Sequence, residues 1–234
     1  KEGGVGVAYY TTTNAYVVGQ WNFVAVKWDG TNAKIFVNGT EYIGGSRALI
    51  SNATANITFI GRNQYANGTG TKYFDGLIDE VMIYNRALSL EEINKLYNSG
   101  LGKYKPLNNN LINVRKLDST SLVSYWTMDE IDGTTLIDKM GVNNGTIYGA
   151  TQVDGKIGKA LSFDGVDDKI SITTNNVLIS SSNAFSFSAW VYLNTFSGNI
   201  YPKIAILRTD TINPWEISFS NQAAYLGLLF GAAN

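Results

Sequence analysis

The segment that decides the fold is residues 74–89, with the sequence FDGLIDEVMIYNRALS. Within it, residues 77–85 form a mostly apolar run with β-branched members, which predicts a strand. Directly afterwards, Ser89 and Glu92 have the spacing of a capping box, which predicts a helix over residues 89–98. This is the one clear helical signal in the sequence.

Strand-like patterns recur on both sides of this segment. Residues 21–43 predict a meander of three strands, because Asp29-Gly30 and Asn38-Gly39 are turn pairs between apolar runs. Further strands are predicted at residues 5–10, 56–61, 121–128, 158–163, 169–173, 185–193, 204–208, 215–220 and 225–230. Many strands beside one short helix indicate an all-β sandwich with one surface helix.

The amino-acid composition excludes several kinds of catalytic and metal-binding site. The chain has no His and no Cys, which excludes imidazole acid–base catalysis, thiol nucleophiles, disulfides and thiolate or imidazole metal sites. Oxygen ligands remain, and these suit calcium. The 18 basic and 19 acidic side chains give a net charge of -1, which disfavours nucleic acid as a partner.

No segment resembles a signal peptide or a membrane span, so membrane insertion is not expected. If the protein is secreted, its signal lies outside this sequence. Residues 101–120 contain Pro106 and three consecutive Asn, which is typical of a connector between residues 1–100 and residues 121–234. The alternative is a long loop inside one domain.

Four stretches resemble one known family. Residues 74–89 with the helix that follows are similar to the C-terminal signature of laminin G-like, concanavalin A-like jelly-roll domains. Residues 122–130, LVSYWTMDE, resemble the first strand of that family, residues 158–165, GKALSFDG, its early hairpin, and residues 185–191, FSFSAWV, a core strand. The motifs are specific only in combination, and the resemblance implies a jelly-roll β-sandwich of two antiparallel sheets.

The order of these motifs is permuted relative to the family. Residues 1–100 resemble the C-terminal half of one jelly roll and residues 121–234 the N-terminal half, so together they are expected to make one domain. Three explanations stay open: a circularly permuted chain, a window cut from tandem repeats, or halves exchanged between neighbouring chains.

The resemblance also implies a structural calcium site. Its expected ligands are Asp129 at the end of the family's first strand, Asp79 on its last strand, and a backbone carbonyl near Gly165. Two carboxylates in close approach need a cation to offset their repulsion. The alternative is that both are turn or capping residues. Asp164, Asp167 and Asp168 form a further acidic group at a turn. We interpret this group as a solvated hairpin, and the alternative is a set of metal ligands.

Catalysis is not expected. Glycoside hydrolysis needs two carboxyl groups about 5–10 Å apart. Glu130 and Asp132 begin a Glu-x-Asp-x-x-Glu pattern but lack its second Glu. Asp79 and Glu80 are adjacent on a strand, so their side chains are expected on opposite faces. A glycoside hydrolase is therefore a minor alternative.

Aromatic side chains are candidates for stacking on sugar rings. The candidate ligand-binding residues are Tyr9, Tyr10, Tyr16, Trp215 and Tyr225. Core packing is the alternative for this group, and it is the expectation for Trp21, Trp28, Trp126 and Trp190. Sequons that a glycosylating cell would be able to modify occur at Asn38, Asn52, Asn56, Asn67 and Asn144.

Together these patterns predict a non-catalytic extracellular or cell-surface module with a structural calcium, which binds a glycan or glycoprotein in adhesion. The alternative is a structural subunit of a surface filament or coat, assembled when copies of the chain exchange complementary halves.

Overall fold

The computed structural model describes residues 7–10, 15–46, 57–63, 72–101, 120–173, 184–195, 202–208, 215–220 and 225–230. Among these residues there are nineteen strands and the helix α1 (Leu90–Gly100). The strands are β1 (Val7–Tyr10), β2 (Trp21–Trp28), β3 (Asn32–Val37), β4 (Thr40–Ser46), β5 (Ile57–Ile60), β6 (Arg62–Asn63), β7 (Lys72–Tyr73), β8 (Asp75–Tyr84), β9 (Leu122–Trp126), β10 (Ile131–Asp132), β11 (Thr135–Leu136), β12 (Gly145–Tyr148), β13 (Thr151–Asp154), β14 (Lys159–Asp164), β15 (Lys169–Thr173), β16 (Phe185–Leu193), β17 (Lys203–Arg208), β18 (Trp215–Ser220) and β19 (Tyr225–Phe230).

Two antiparallel sheets are stacked as a sandwich. The nine-stranded sheet has the order β1-β19-β18-β17-β5-β15-β12-β11-β10. The eight-stranded sheet has the order β13-β14-β8-β16-β2-β3-β4, with β9 also paired to β8, and β6 and β7 form a separate small ladder. The predicted fold class, an all-β jelly-roll sandwich with one helix, is confirmed.

Both sheets mix strands from the first and second parts of the chain. In the eight-stranded sheet, β8 lies between β16 on one side and β14 and β9 on the other. In the nine-stranded sheet, β5 lies between β15 and β17, and β1 pairs with β19. Either part without the other would leave open strand edges and an uncovered core.

The strands bury two apolar clusters. The inner cluster lies between the sheets, and the outer cluster lies between the eight-stranded sheet and α1. In β2, Val24 and Val26 belong to the inner cluster and Phe23 and Ala25 to the outer one, so this strand is buried on both faces. Three of the four tryptophans expected in the core are at most 2% exposed, namely Trp28, Trp126 and Trp190. Trp21 is partly buried against the outer cluster.

Helix α1 begins with the predicted capping box. The Ser89 hydroxyl accepts a hydrogen bond from the Glu92 N–H (3.2 Å), and the Glu92 carboxylate accepts one from the Ser89 N–H (2.8 Å). Ile93 and Leu96 are buried in the outer cluster. The helix extends two residues beyond its predicted end at residue 98, because Gly100 has no side chain and lets the last turn lie against Trp190.

Six short strands were not predicted from the sequence: β6, β7 and β10 to β13. They are two to four residues long, and many residues of β10 to β13 are exposed or half-buried, so they lack a repeating apolar pattern.

Residues 102–119 of the expected connector lie outside the described residues. The single described helix is too short and too polar to cross a bilayer.

Candidate functional site

Strand β8 is irregular at Asp79 and Glu80. On one edge it pairs with β14 as far as Ile78 and with β9 from Val81 onward, so Asp79 and Glu80 fall between these two ladders. On the other edge, the register with β16 shifts by one residue at the same place. Glu80 has a φ of 53°, which is unusual for a residue with a side chain. Together these features define a β-bulge.

The bulge brings both carboxylates to the outer face of the eight-stranded sheet. Ile78 and Val81 both point into the inner cluster although they are three residues apart. Asp79 lies opposite a residue of the outer cluster, and Glu80 accepts a hydrogen bond from the hydroxyl of Tyr125, which packs against that cluster. The expectation that Asp79 and Glu80 point to opposite faces is therefore wrong, because the extra residue resets the alternation.

Asp79 is fully buried, and one of its two carboxylate oxygens is unused. Oδ2 accepts hydrogen bonds from the N–H groups of Lys156 and Ile157, each at 2.9 Å, in the turn between β13 and β14. Oδ1 is buried without a hydrogen-bond partner among the described residues. Burial raises the pKa of Asp79 to about 7, and the negative charge of Asp129 contributes to the increase.

Asp129 and Glu80 complete what we call the acidic site, which consists of Asp79, Glu80 and Asp129. Asp129 follows the end of β9, and its Oδ1 accepts a hydrogen bond from the Lys159 N–H (2.7 Å). Burial raises the pKa of Glu80 to about 8, and the charges of Asp79 and Asp129 raise it further. The Tyr125 hydroxyl and, more weakly, the Lys139 ammonium lower the same pKa.

Two glycines let the turn between β13 and β14 approach these carboxylates. A Cβ at Gly155 would stand 2.8 Å from the Asp79 Oδ2, and one at Gly158 would overlap the Asp129 carboxylate. Gly158 also has a φ of 62°, a conformation that glycine adopts without strain. The turn therefore presents backbone N–H groups, rather than side chains, to the acidic site.

Calcium at the acidic site, which the resemblance implied, stays a prediction. Calcium takes oxygen ligands, and three neighbouring carboxylates without a cation repel one another. The unpartnered Oδ1 of Asp79 is the observation that fits a metal best, because a buried carboxylate oxygen ordinarily has a partner. Asp79 and Asp129, the two carboxylates expected to meet, are the residues that would hold the ion.

Gly165 does not join them. It lies in the turn after β14, at the opposite end of that strand from Lys159, and it packs against Asp75. The Asp75 carboxylate accepts hydrogen bonds from the side chains of Asn194 (2.8 Å) and Thr195 (3.1 Å). The backbone near Gly165 is therefore a separate place in the fold.

The second acidic group organises its own turn. The Asp164 carboxylate accepts hydrogen bonds from the N–H groups of Val166 (2.8 Å) and Asp167 (3.3 Å). The Asp168 carboxylate accepts one from the Asp164 N–H (2.9 Å). These local bonds make the Asp164 and Asp168 carboxylates turn-forming groups. One carboxylate oxygen from each of Asp164, Asp167 and Asp168 lies within 4.8 Å of the other two, so the spacing also permits a metal ion.

Four of the five candidate aromatic residues lie on neighbouring strands. Tyr9 and Tyr10 are in β1, Tyr225 is in β19 and Trp215 is in β18, at one end of the nine-stranded sheet. Tyr16 is different, since it is 4% exposed and packs in the inner cluster, where no ligand can stack on its ring.

Two of the five sequons lie among the described residues. The Asn38 amide is occupied, because Nδ2 donates to Asn22 (3.1 Å) and Oδ1 accepts from the Phe23 N–H (2.9 Å). Asn144 is exposed, and its Oδ1 accepts from the Asp138 N–H (2.9 Å). The other three, Asn52, Asn56 and Asn67, lie outside the described residues.

Sequence reasoning missed the roles of Glu80, Tyr125 and the turn at residues 155–158. The available signal was the pair of adjacent acidic residues inside the apolar strand at residues 77–85. A bulge is one way to place such a pair on one face of a sheet. A glycine at the bulge would have indicated a positive φ in the sequence, but the residue there is Glu80.

Residues 1–94 match a family model described as the concanavalin A-like lectin/glucanases superfamily, under the name Laminin_G_3. No curated protein and no solved structure matches the chain. The matched residues include β8 and the start of α1, the segment that carried the resemblance in the sequence. Through residues 1–94, which are less than half of its length, the chain is therefore similar to the concanavalin A-like lectin/glucanases superfamily.

Proposed function

We propose that this domain is a non-catalytic module that binds a carbohydrate or glycoprotein outside the cell or at its surface, as in adhesion. The observation that carries the proposal is the superfamily match, whose description covers lectins and glucanases, on a two-sheet sandwich. The residues that we propose for sugar contact are the aromatic ones on β1, β18 and β19, because aromatic rings commonly contact sugars.

The burial of the carboxylates favours binding over hydrolysis. A glycosidase needs two carboxyl groups in contact with the scissile bond. Asp79 is 0% exposed and Glu80 is 7% exposed, so a sugar chain cannot reach this pair. Glu130 is more open but forms an ion pair with Lys139. Among the described residues, the acidic site is thus better suited to a structural role.

We assign that structural role to calcium held by Asp79 and Asp129. The ion would join the bulge of β8, the end of β9 and the turn that precedes β14. It would also offset the repulsion among the three carboxylates when they are ionised. Support comes from the unpartnered Asp79 Oδ1 and from the raised pKa values of Asp79 and Glu80.

A glycan array probed with calcium-loaded protein tests the binding proposal. We expect binding to a restricted set of saccharides. Because a sugar chain cannot reach Asp79, we expect Asp79→Asn to weaken this binding only by lowering the stability of the folded protein. An array of neutral and acidic glycans and glycoproteins that shows no binding would contradict the proposal.

A second candidate is a surface filament or coat built by exchange of halves. The observation that favours it is the mixing of strands from both parts in each sheet, since the same ladders can form between chains. Light scattering coupled to size exclusion over a dilution series tests it. A monomer at every concentration, including after refolding at high concentration, would exclude exchange.

A further inference from the structure

A second charged feature lies around Arg62 in β6, which directly follows strand β5 of the nine-stranded sheet. Its guanidinium carbon is 5.1 Å from the centre of the Phe59 ring and 5.8 Å from the centre of the Tyr73 ring. Aromatic faces attract a guanidinium, so the two rings hold it in a defined orientation. Arg62 is only partly exposed.

Among the residues that the structure describes, the Arg62 side chain has no polar partner. Its Nε is buried without a hydrogen bond, and none of the ion pairs among the described residues includes it. A buried donor left unpaired is rare and lowers stability, and a guanidinium normally pairs with a carboxylate or phosphate. The aromatic rings therefore orient a cation whose own polar partner is missing.

The neighbours place Arg62 on the face of the nine-stranded sheet that points away from the inner cluster. Ile60 belongs to the inner cluster, so its neighbour Phe59 lies on the opposite face of β5. Because the Arg62 guanidinium lies over the Phe59 ring, it shares that face. The acidic site lies on the other sheet, so its charges do not occupy this face.

A second cation lies across from Arg62. The Gly61 N–H donates to the Ile204 carbonyl (3.0 Å), which continues the register in which Ala205 faces Ile60. In that register Lys203 is opposite Arg62. Lys203 is buried.

We infer that the Arg62 guanidinium, which lies over the Phe59 and Tyr73 rings, binds a carboxylate of an acidic saccharide on this face of the nine-stranded sheet. The inference rests on the proposed glycan-binding function and names its ligand class. The planar guanidinium matches a carboxylate in geometry and charge, and its fixed orientation reduces the entropy lost on binding.

Isothermal titration with short hyaluronan oligosaccharides, which carry glucuronate, tests the inference. The comparison ligand is the same oligosaccharide with its carboxylates methyl-esterified. We expect the acid form to bind more tightly, and we expect Arg62→Gln to weaken it about tenfold or more while leaving the ester unaffected. Arg62→Lys keeps the charge but loses the planar fork, so it should lose part of the preference.

Lys95→Gln is the matched control, because Lys95 is an exposed cation on α1 that pairs with Glu91. It should retain the full preference for the acid form. Circular dichroism and thermal melting establish that each variant is folded, and if Arg62→Gln does not fold, Arg62→Lys carries the test.

The outcomes separate the inference from the proposed function. Any of three results would overturn the inference. The acid and ester forms bind with equal affinity, both Arg62 variants keep the full preference for the acid form, or polyglutamate binds as tightly as the acidic oligosaccharide. Binding of neutral glycans without an acid preference would overturn it and leave the glycan-binding function standing. Binding of no saccharide at all would overturn both.

Discussion

Val7 lies directly opposite Phe230 in an antiparallel ladder at the edge of the nine-stranded sheet. The ladder continues to Tyr10 opposite Gly227. In a chain in which residue 234 led into residue 1, residues 231–234 and 1–6 would connect β19 to β1 as neighbouring strands. That order is the one expected of the resembled family, so we propose that the two parts are related to it by permutation.

A reordered chain tests this relationship. We expect a protein that runs from residue 120 to residue 234 and then from residue 1 to residue 101 to fold to the same sandwich, because every ladder is retained. Its melting temperature and near-ultraviolet circular dichroism should resemble those of the original chain. The control is a chain whose new termini lie within β16, the strand between β8 and β2, and this chain should not fold. An unfolded 120–101 chain would contradict the permutation proposal.

Calcium should stabilise the protein through the acidic site. A ligand that binds only the folded state raises the free energy of unfolding, by about 2.7 kcal/mol at a hundredfold excess over its Kd. We therefore expect a higher melting temperature in calcium than in chelator, and Asp79→Asn and Asp129→Asn should each remove most of the difference. Differential scanning calorimetry measures it.

Asp132→Asn is the control for this experiment, since Asp132 is exposed and lies outside the acidic site. It should leave the calcium effect intact. An identical melting curve with calcium and with chelator would exclude a calcium site in the folded protein.

Without calcium, stability should fall as the pH rises from 5 to 8.5. The pKa values of Asp79 and Glu80 are raised to about 7 and about 8, so the folded state holds more protons than the unfolded state between pH 4 and 8. The free energy of unfolding must therefore decrease with pH across this window. Urea denaturation at several pH values measures the slope, which saturating calcium should reduce. A flat or rising profile in chelator would contradict the assigned pKa shifts.

Removal of the Tyr125 hydroxyl should destabilise the charged form of Glu80. The hydroxyl donates to the Glu80 carboxylate and lowers its pKa, so Tyr125→Phe should raise that pKa further. We expect a loss of about 1–3 kcal/mol where Glu80 is ionised, and a smaller loss at pH 5. Tyr148→Phe, at an exposed tyrosine, is the control. An equal loss at both pH values would show that the hydroxyl does not act through the Glu80 charge.

The start of α1 should be sensitive to acid. Arg86 donates to both oxygens of the Glu92 carboxylate (2.9 and 2.6 Å), and this hydrogen-bonded ion pair lowers the pKa of Glu92 to about 2. Its stabilising contribution is complete above pH 4.5 and is lost as the pH falls toward 2. Glu92→Gln should flatten this part of the acid profile, whereas Ser89→Ala should cost about 1 kcal/mol across it. Acid titration followed by circular dichroism distinguishes the two.

Local patterns in the sequence were sufficient for most elements of the fold. The capping box at Ser89 and Glu92 and the apolar strands at residues 169–173 and 185–193 depend on neighbouring residues, and the structure has them where they were predicted. The family resemblance at residues 74–89 was also readable from the sequence alone, and the superfamily match includes that segment.

The tertiary structure decided the acidic site and the placement of Arg62 over two aromatic rings. Only the bulge in β8 shows that Asp79 and Glu80 share a face, and only the ladder with β9 brings Asp129 to them. Arg62 carries no signal in the sequence, because its aromatic neighbours come from two different strands. The sequence determines which residues prefer strand, turn or helix, but contacts between distant residues depend on strand register, and one inserted residue in a ladder changes the face that each side chain takes.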